Sequence, residues 1–163
     1  MSVFGFYAEV NVGCIVILLL LLYSIKRLPT PQVKYELFQT LVLWHIVYFI
    51  SDSVWALVND ATFPKNTFTV LAVNYFNAII MPVVAYNCFM FAEISTRPEM
   101  TRKQIERFRC KLRIPIIVQF VALLISFGIA PDFWLDDQLE PIGFYYFILS
   151  FLPLIYWMAG HIY

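Results

Sequence analysis

The sequence predicts an all-α fold, a polytopic transmembrane helix bundle of about five crossings with the N-terminus outside and the C-terminus inside. Three observations carry this expectation. First, 61% of the 163 residues are apolar and 13% are charged, against roughly 25% charged in a soluble domain. Too few polar side chains are left to cover a soluble globule of this size. Second, the apolar residues gather in five stretches, most of them close to the ~20 residues that a helix needs to cross a bilayer. Third, the loops divide by charge, ten basic residues on one side against one on the other, and cytoplasmic loops retain Lys and Arg. Basic and acidic residues number 11 each, so no net charge attracts a polyanion, and free nucleic-acid binding and disorder are both disfavoured.

The first crossing covers about 4–25, with an unbroken core from Cys14 to Leu22. A signal peptide carries its positive charge ahead of the apolar run. Here Lys26 and Arg27 follow the run, so this helix is read as retained and starting outside. The second crossing covers about 37–58 and the third about 68–94. Pro82 lies near the middle of the third, where the loss of one backbone donor predicts a kink. The fourth, about 114–130, is short, and the fifth, about 142–162, contains Pro153.

Lys26, Arg27 and Lys34 follow the first crossing, and Arg97, Arg102, Lys103, Arg107, Arg109, Lys111 and Arg113 lie between the third and fourth. The other two loops hold only Lys65, and the acidic segment 131–140 carries Trp134 as an expected interfacial residue. Within the inner loop, Ile105, Phe108 and Leu112 recur at spacings of three and four among basic residues. That pattern reads either as a short basic amphipathic helix on the inner leaflet or as a solvated loop that fixes topology. No repeat or low-complexity tract appears, so 1–163 is read as a single transmembrane domain in the inner (cytoplasmic) membrane of a cell. Cys14, Cys88 and Cys110 show no metal-ligand or disulfide spacing and are read as reduced fillers.

Polar residues within apolar crossings are functional candidates by default. Glu9 and Asn11 lie near the outer end of the first crossing. Asp52, between Ser51 and Ser53, lies ~9 Å below the outer end of the second, and Asn74 and Asn77 lie ~9–14 Å below that of the third, at 1.5 Å per residue. Three crossings thus place polar groups in one outer layer. Glu9, Asn11, Asp52, Trp55, Asn74 and Asn77 form the candidate ligand-binding set for a small extracellular ligand. The structural alternative is a hydrogen-bonded network that holds helices together.

His45 and His161 differ by about half a bilayer in depth, which argues against haem held between them. No Lys lies within a crossing, so a retinal linkage has no anchor. The aromatic side chains of the last crossing, Phe144, Tyr145, Tyr146, Phe147 and Trp157, read as lipid-facing or belt residues. Glu93 is expected to snorkel or to pair with a following basic residue. No cofactor or metal is implied, and no nucleotide-binding, zinc-protease or serine-hydrolase motif occurs.

The order of Tyr7-Ala8-Glu9-Val10-Asn11, then Ser51-Asp52-Ser53-Val54-Trp55-Ala56-Leu57, then Val73-Asn74-Tyr75-Phe76-Asn77 and Tyr86-Asn87-Cys88-Phe89-Met90-Phe91-Ala92-Glu93 resembles the N-terminal multi-helix membrane region of bacterial GGDEF-type diguanylate cyclases. The resemblance covers roughly Tyr7 to Arg113 and, more loosely, the last two crossings. It implies a sensory membrane module that controls a cytoplasmic domain making cyclic di-GMP from GTP, with at least one further helix expected. The Gly-Gly-Asp/Glu-Glu-Phe signature of that domain is not in this sequence, so no GTP or metal site carries over. The chain is read as a non-catalytic sensory fragment or truncated reading frame. Its expected partners are the lipid bilayer, a small extracellular ligand and a second copy in a homodimer. The alternatives are a small transporter or transporter subunit, and a structural partner in a larger membrane complex.

Overall fold

The computed structural model describes residues 2–27, 33–60, 62–97, 99–129, 134–136, 138 and 142–162. Among these residues five helices follow one another: α1 (Val3–Lys26), α2 (Val33–Asn59), α3 (Thr67–Thr96), α4 (Arg102–Ile129) and α5 (Gly143–Ile162). Local chemistry fixes several of their starts. The Ser2 hydroxyl accepts from the Gly5 N–H at 2.9 Å and caps α1. The Asn66 amide oxygen accepts from the Thr69 N–H at 2.9 Å and caps α3. Thr101 and Gln104 form a reciprocal pair at the head of α4, with N–H···O distances of 2.8 Å and 3.4 Å. That is a capping box, satisfying two donors that a helix start otherwise leaves open.

α2 packs on α1 and α3, and α3 also packs on α4 and α5. Successive helices alternate in direction. One end, called proximal below, holds the starts of α1, α3 and α5 and the ends of α2 and α4. The other end is called distal. A distal core joins Leu37, Met90, Ile94, Ile105, Ile116 and Tyr156. A proximal core joins Val58, Val70, Ala78, Leu123, Trp134 and Tyr145. Leu22, Val42 and Ile46 form a smaller seam between α1 and α2.

The remaining faces are apolar and open. α1 exposes Val12, Val16, Ile17 and Leu20, and α4 exposes Ile114, Val118, Val121 and Leu124. Stripes of this extent are not tolerated in water, whereas a bilayer covers them and leaves every helical backbone bond satisfied internally. Among the described residues α1, α2 and α3 are long and apolar enough to span a membrane. α4 owes its different character to its charged first half, since its apolar run begins at Ile114.

Four expectations change on folding. The basic stretch 101–112 and the fourth apolar run are not separate: α4 is a single helix that runs through Pro115. Proline deprives only the Lys111 carbonyl of its helical donor. The neighbouring Leu112 carbonyl receives the Tyr156 hydroxyl at 2.8 Å, tying α4 to α5. The Ile105–Phe108–Leu112 seam packs into the distal core and not onto a lipid surface.

Trp134 is not an interfacial side chain. It is 1% exposed and wedged between the Tyr75 and Tyr145 rings, at centroid distances of 6.2 Å and 6.1 Å. In α5, Tyr145 and Tyr156 are core residues, while Tyr146 and Phe147 are exposed. The side chains of Phe144, Pro153, Trp157 and His161 lie outside the described residues. α3 continues as one helix through Pro82, which is fully buried.

Candidate functional site

The polar layer of α1, α2 and α3 assembles in the proximal half. α1 contributes Phe4, Tyr7 and Asn11, spaced three and four apart and so on one face. α2 contributes Ser51, Asp52 and Trp55, and α3 contributes Asn74 and Asn77. Asn11 is ~12 Å from the start of α1, and Asp52 and Asn74 are each ~10 Å from the proximal end of their helix, by rise per residue. Asn11, Ser51, Asp52, Asn74 and Asn77 are all buried.

α2 is the hub, and its helical phase divides the bonds between two neighbours. The Tyr7 hydroxyl donates to Asp52 Oδ2 at 2.5 Å, and Asn11 Nδ2 donates to the same oxygen at 3.2 Å. Ser51 and Trp55, one turn apart, face the other way. The Ser51 hydroxyl donates to Asn77 Oδ1, and Trp55 Nε1 donates to Asn74 Oδ1 at 3.1 Å. Asn74 anchors its own amide by donating from Nδ2 to the Val70 carbonyl at 2.9 Å. The Phe4 ring meets Trp55 edge to face at 5.9 Å. A carboxylate therefore joins α1 to α2, while neutral amides, a hydroxyl and an indole join α2 to α3. Both bonds to Asp52 fall on Oδ2, and among the described residues Oδ1 takes no protein donor.

Of the six residues singled out from sequence, Asn11, Asp52, Trp55, Asn74 and Asn77 belong to this layer. Glu9 does not. Ala8 and Asn11 are buried, and Glu9 is exposed, because residues 100° and 200° away around the helix define the packed face. Tyr7 and Ser51 were missing from the set. Tyr7 carried a readable signal, since it precedes Asn11 by four and shares its face. Ser51 carried none until α3 was placed beside it.

The deeper polar residues turn inward on their own helices. Nδ1 of His45 lies 2.8 Å from the Leu41 carbonyl, which only accepts, so Nδ1 carries the proton. Asn87 Nδ2 donates to the Val83 carbonyl at 2.7 Å. Glu93 pairs with Arg97 at 3.0 Å. Among the described residues no group of three or more His, Cys, Asp or Glu side chains is placed to hold a metal. The layer offers hydrogen-bond acceptors and donors, one of them a carboxylate.

No family model matches the chain, and no curated protein or solved structure is detectably similar to it. Fold and site together define a class: an all-helical, membrane-embedded bundle with a hydrogen-bonded polar layer displaced toward one end.

Proposed function

We propose that the chain is the membrane-embedded input module of a bacterial signalling protein, with five crossings in the inner membrane, its proximal end outside and its distal end inside. The observation that carries this reading is the split network around α2. One carboxylate holds α1 through a single oxygen, and a small external ligand with hydrogen-bond donors would compete for it or engage Oδ1. Changing that bond shifts α1 against α2, while the amide contacts keep α2 and α3 together as a unit. α3 then leads to the distal core, where Met90 and Ile94 pack with Ile105 and Tyr156. The motif resemblance supports a diguanylate cyclase domain as the output. A transporter needs polar groups continuing through the membrane, and here His45 and Asn87 are committed to their own helices.

The test joins this module to a diguanylate cyclase output domain and measures cyclic di-GMP. Asp52→Asn keeps the shape and removes the charge, and Asn77→Leu breaks the Ser51 bond. We expect Asp52→Asn to change the output several-fold while the folded bundle persists. Output and stability both unchanged would overturn the sensory role of the layer.

Orientation has its own check. Cys110 is exposed on the first half of α4. A membrane-impermeant thiol reagent should modify it from the cytoplasmic side only, and labelling of intact cells from outside would reverse the topology.

A further inference from the structure

α4 begins as a cationic column and becomes an apolar one. Arg102, Lys103, Arg107, Lys111 and Arg113 are exposed and Arg109 is half-buried. Lys103, Arg107 and Lys111 recur every four residues, and Arg109 and Arg113 also lie four apart, so the cations climb the helix in two stripes. The apolar seam of this segment is already spent on the protein, with Ile105 buried and Phe108 and Leu112 packed beside it. The helix therefore stands on end and does not lie flat, which sets its cations at graded heights. Glu106 lies 3.8 Å from Arg102 at the far end. Among the described residues, Arg107, Arg109, Lys111 and Arg113 are in no ion pair.

Heights decide which cations meet lipid. If the apolar run starting at Ile114 marks the hydrocarbon boundary, Arg113, Lys111 and Arg109 lie ~2–8 Å beyond it. The headgroup layer is about 5–8 Å deep on each side. Arg102 and Lys103 lie ~17 Å out, about one Debye length beyond the headgroups at physiological salt.

We propose that Arg109, Lys111 and Arg113 form a headgroup band for anionic phospholipid around the distal rim of α4, selective for phosphodiester charge, with Arg109 and Arg113 on one stripe and Lys111 on the opposite one. The band takes lipid and not a second protein, because its cations sit at the height of the phosphates and adjoin the exposed apolar side chains Ile114, Ile117 and Val118, which would accompany the acyl chains. Arg supplies forked donors suited to phosphate, and Lys a point charge. This inference rests on the proposed insertion of α4 and not on the sensory role.

The test reconstitutes the full chain in phosphatidylcholine vesicles containing traces of spin-labelled phosphatidylglycerol or spin-labelled phosphatidylcholine. The immobilised fraction of each label is then compared. The wild type should hold phosphatidylglycerol preferentially, by about fivefold per cation in the layer, and salt should weaken the preference. Joint replacement of Arg109, Lys111 and Arg113 by Gln should remove it, while the same change at Arg102 and Lys103 should leave most of it. Arg109→Lys with Arg113→Lys should retain it, which controls for misfolding. Equal retention of the two labels by the wild type, or equal loss in the two Gln variants, overturns the headgroup band. Cys110 accessibility in the same vesicles reports insertion separately: a protected, unreactive Cys110 overturns the assumed height of α4.

Discussion

Asp52→Ala is expected to destabilise the bundle by about 1–2 kcal/mol, and nearly all of that loss should trace to Asn11. The substitution removes the acceptor for two donors at once. The Tyr7 hydroxyl has an escape, since Tyr7 is 41% exposed near the start of α1 and turns toward polar surroundings. The Asn11 amide has none, being 3% exposed. A stranded buried donor costs about 1–3 kcal/mol, and contacts measured between membrane helices average nearer 0.6 kcal/mol with a maximum of about 1.7. The value expected for Asp52→Ala lies where these ranges meet. Tyr7→Phe should cost about 0.5 kcal/mol or less by the same reasoning. Asn11→Leu with Asp52→Leu should recover part of the loss, because removing both partners strands nothing. Unfolding of the purified protein in mixed micelles, run as a double-mutant cycle, reads the coupling directly. A coupling near zero between Asn11 and Asp52 would show that the bond does not hold α1 to α2.

Trp134→Ala should cost more, about 3–4 kcal/mol, the range for deleting a buried aromatic side chain. Trp134 fills the space between α3 and α5 at the proximal end, with Val70, Leu123, Leu135 and Tyr145 around it. Its removal leaves a cavity whose walls are helices, and helices collapse poorly. Phe147→Ala is the matching control. Phe147 is 60% exposed on α5, and a substitution on an open face usually changes stability by about 0.5 kcal/mol or less. A Trp134→Ala loss as small as the Phe147→Ala loss would return Trp134 to the interfacial role its loop position implies.

These two residues also show where sequence reasoning reaches its limit. Asp52 was legible because charge in an apolar run is expensive, and depth along a helix can be counted at 1.5 Å per residue. The shared layer followed from alternating helix direction alone. Which residues in that layer touch was not legible, because contact depends on how each helix is rotated about its axis. Rotation turned Glu9 out and brought Tyr7 in. It also paired Ser51 with Asn77 and Trp55 with Asn74 across one face of α2, leaving Asp52 for α1.

Trp134 was misread for a related reason. A Trp in an acidic loop beside an apolar helix has the composition of an interfacial anchor. Only the arrangement of α3, α4 and α5 creates the slot that it fills. The start of the fourth crossing was misplaced because the charged residues before Ile114 end the apolar run, yet α4 reaches back to Arg102, with its first half held by the distal core.

By itself the sequence determined the helical class, the approximate extents of α1, α2, α3 and α5, and the height of each polar group along its own helix, since all three follow from hydropathy and a fixed rise per residue. The tertiary structure decided which faces meet, and hence which hydrogen bonds form. Helix rotation and crossing are set by packing summed over many side chains, and no single stretch of the chain encodes that sum.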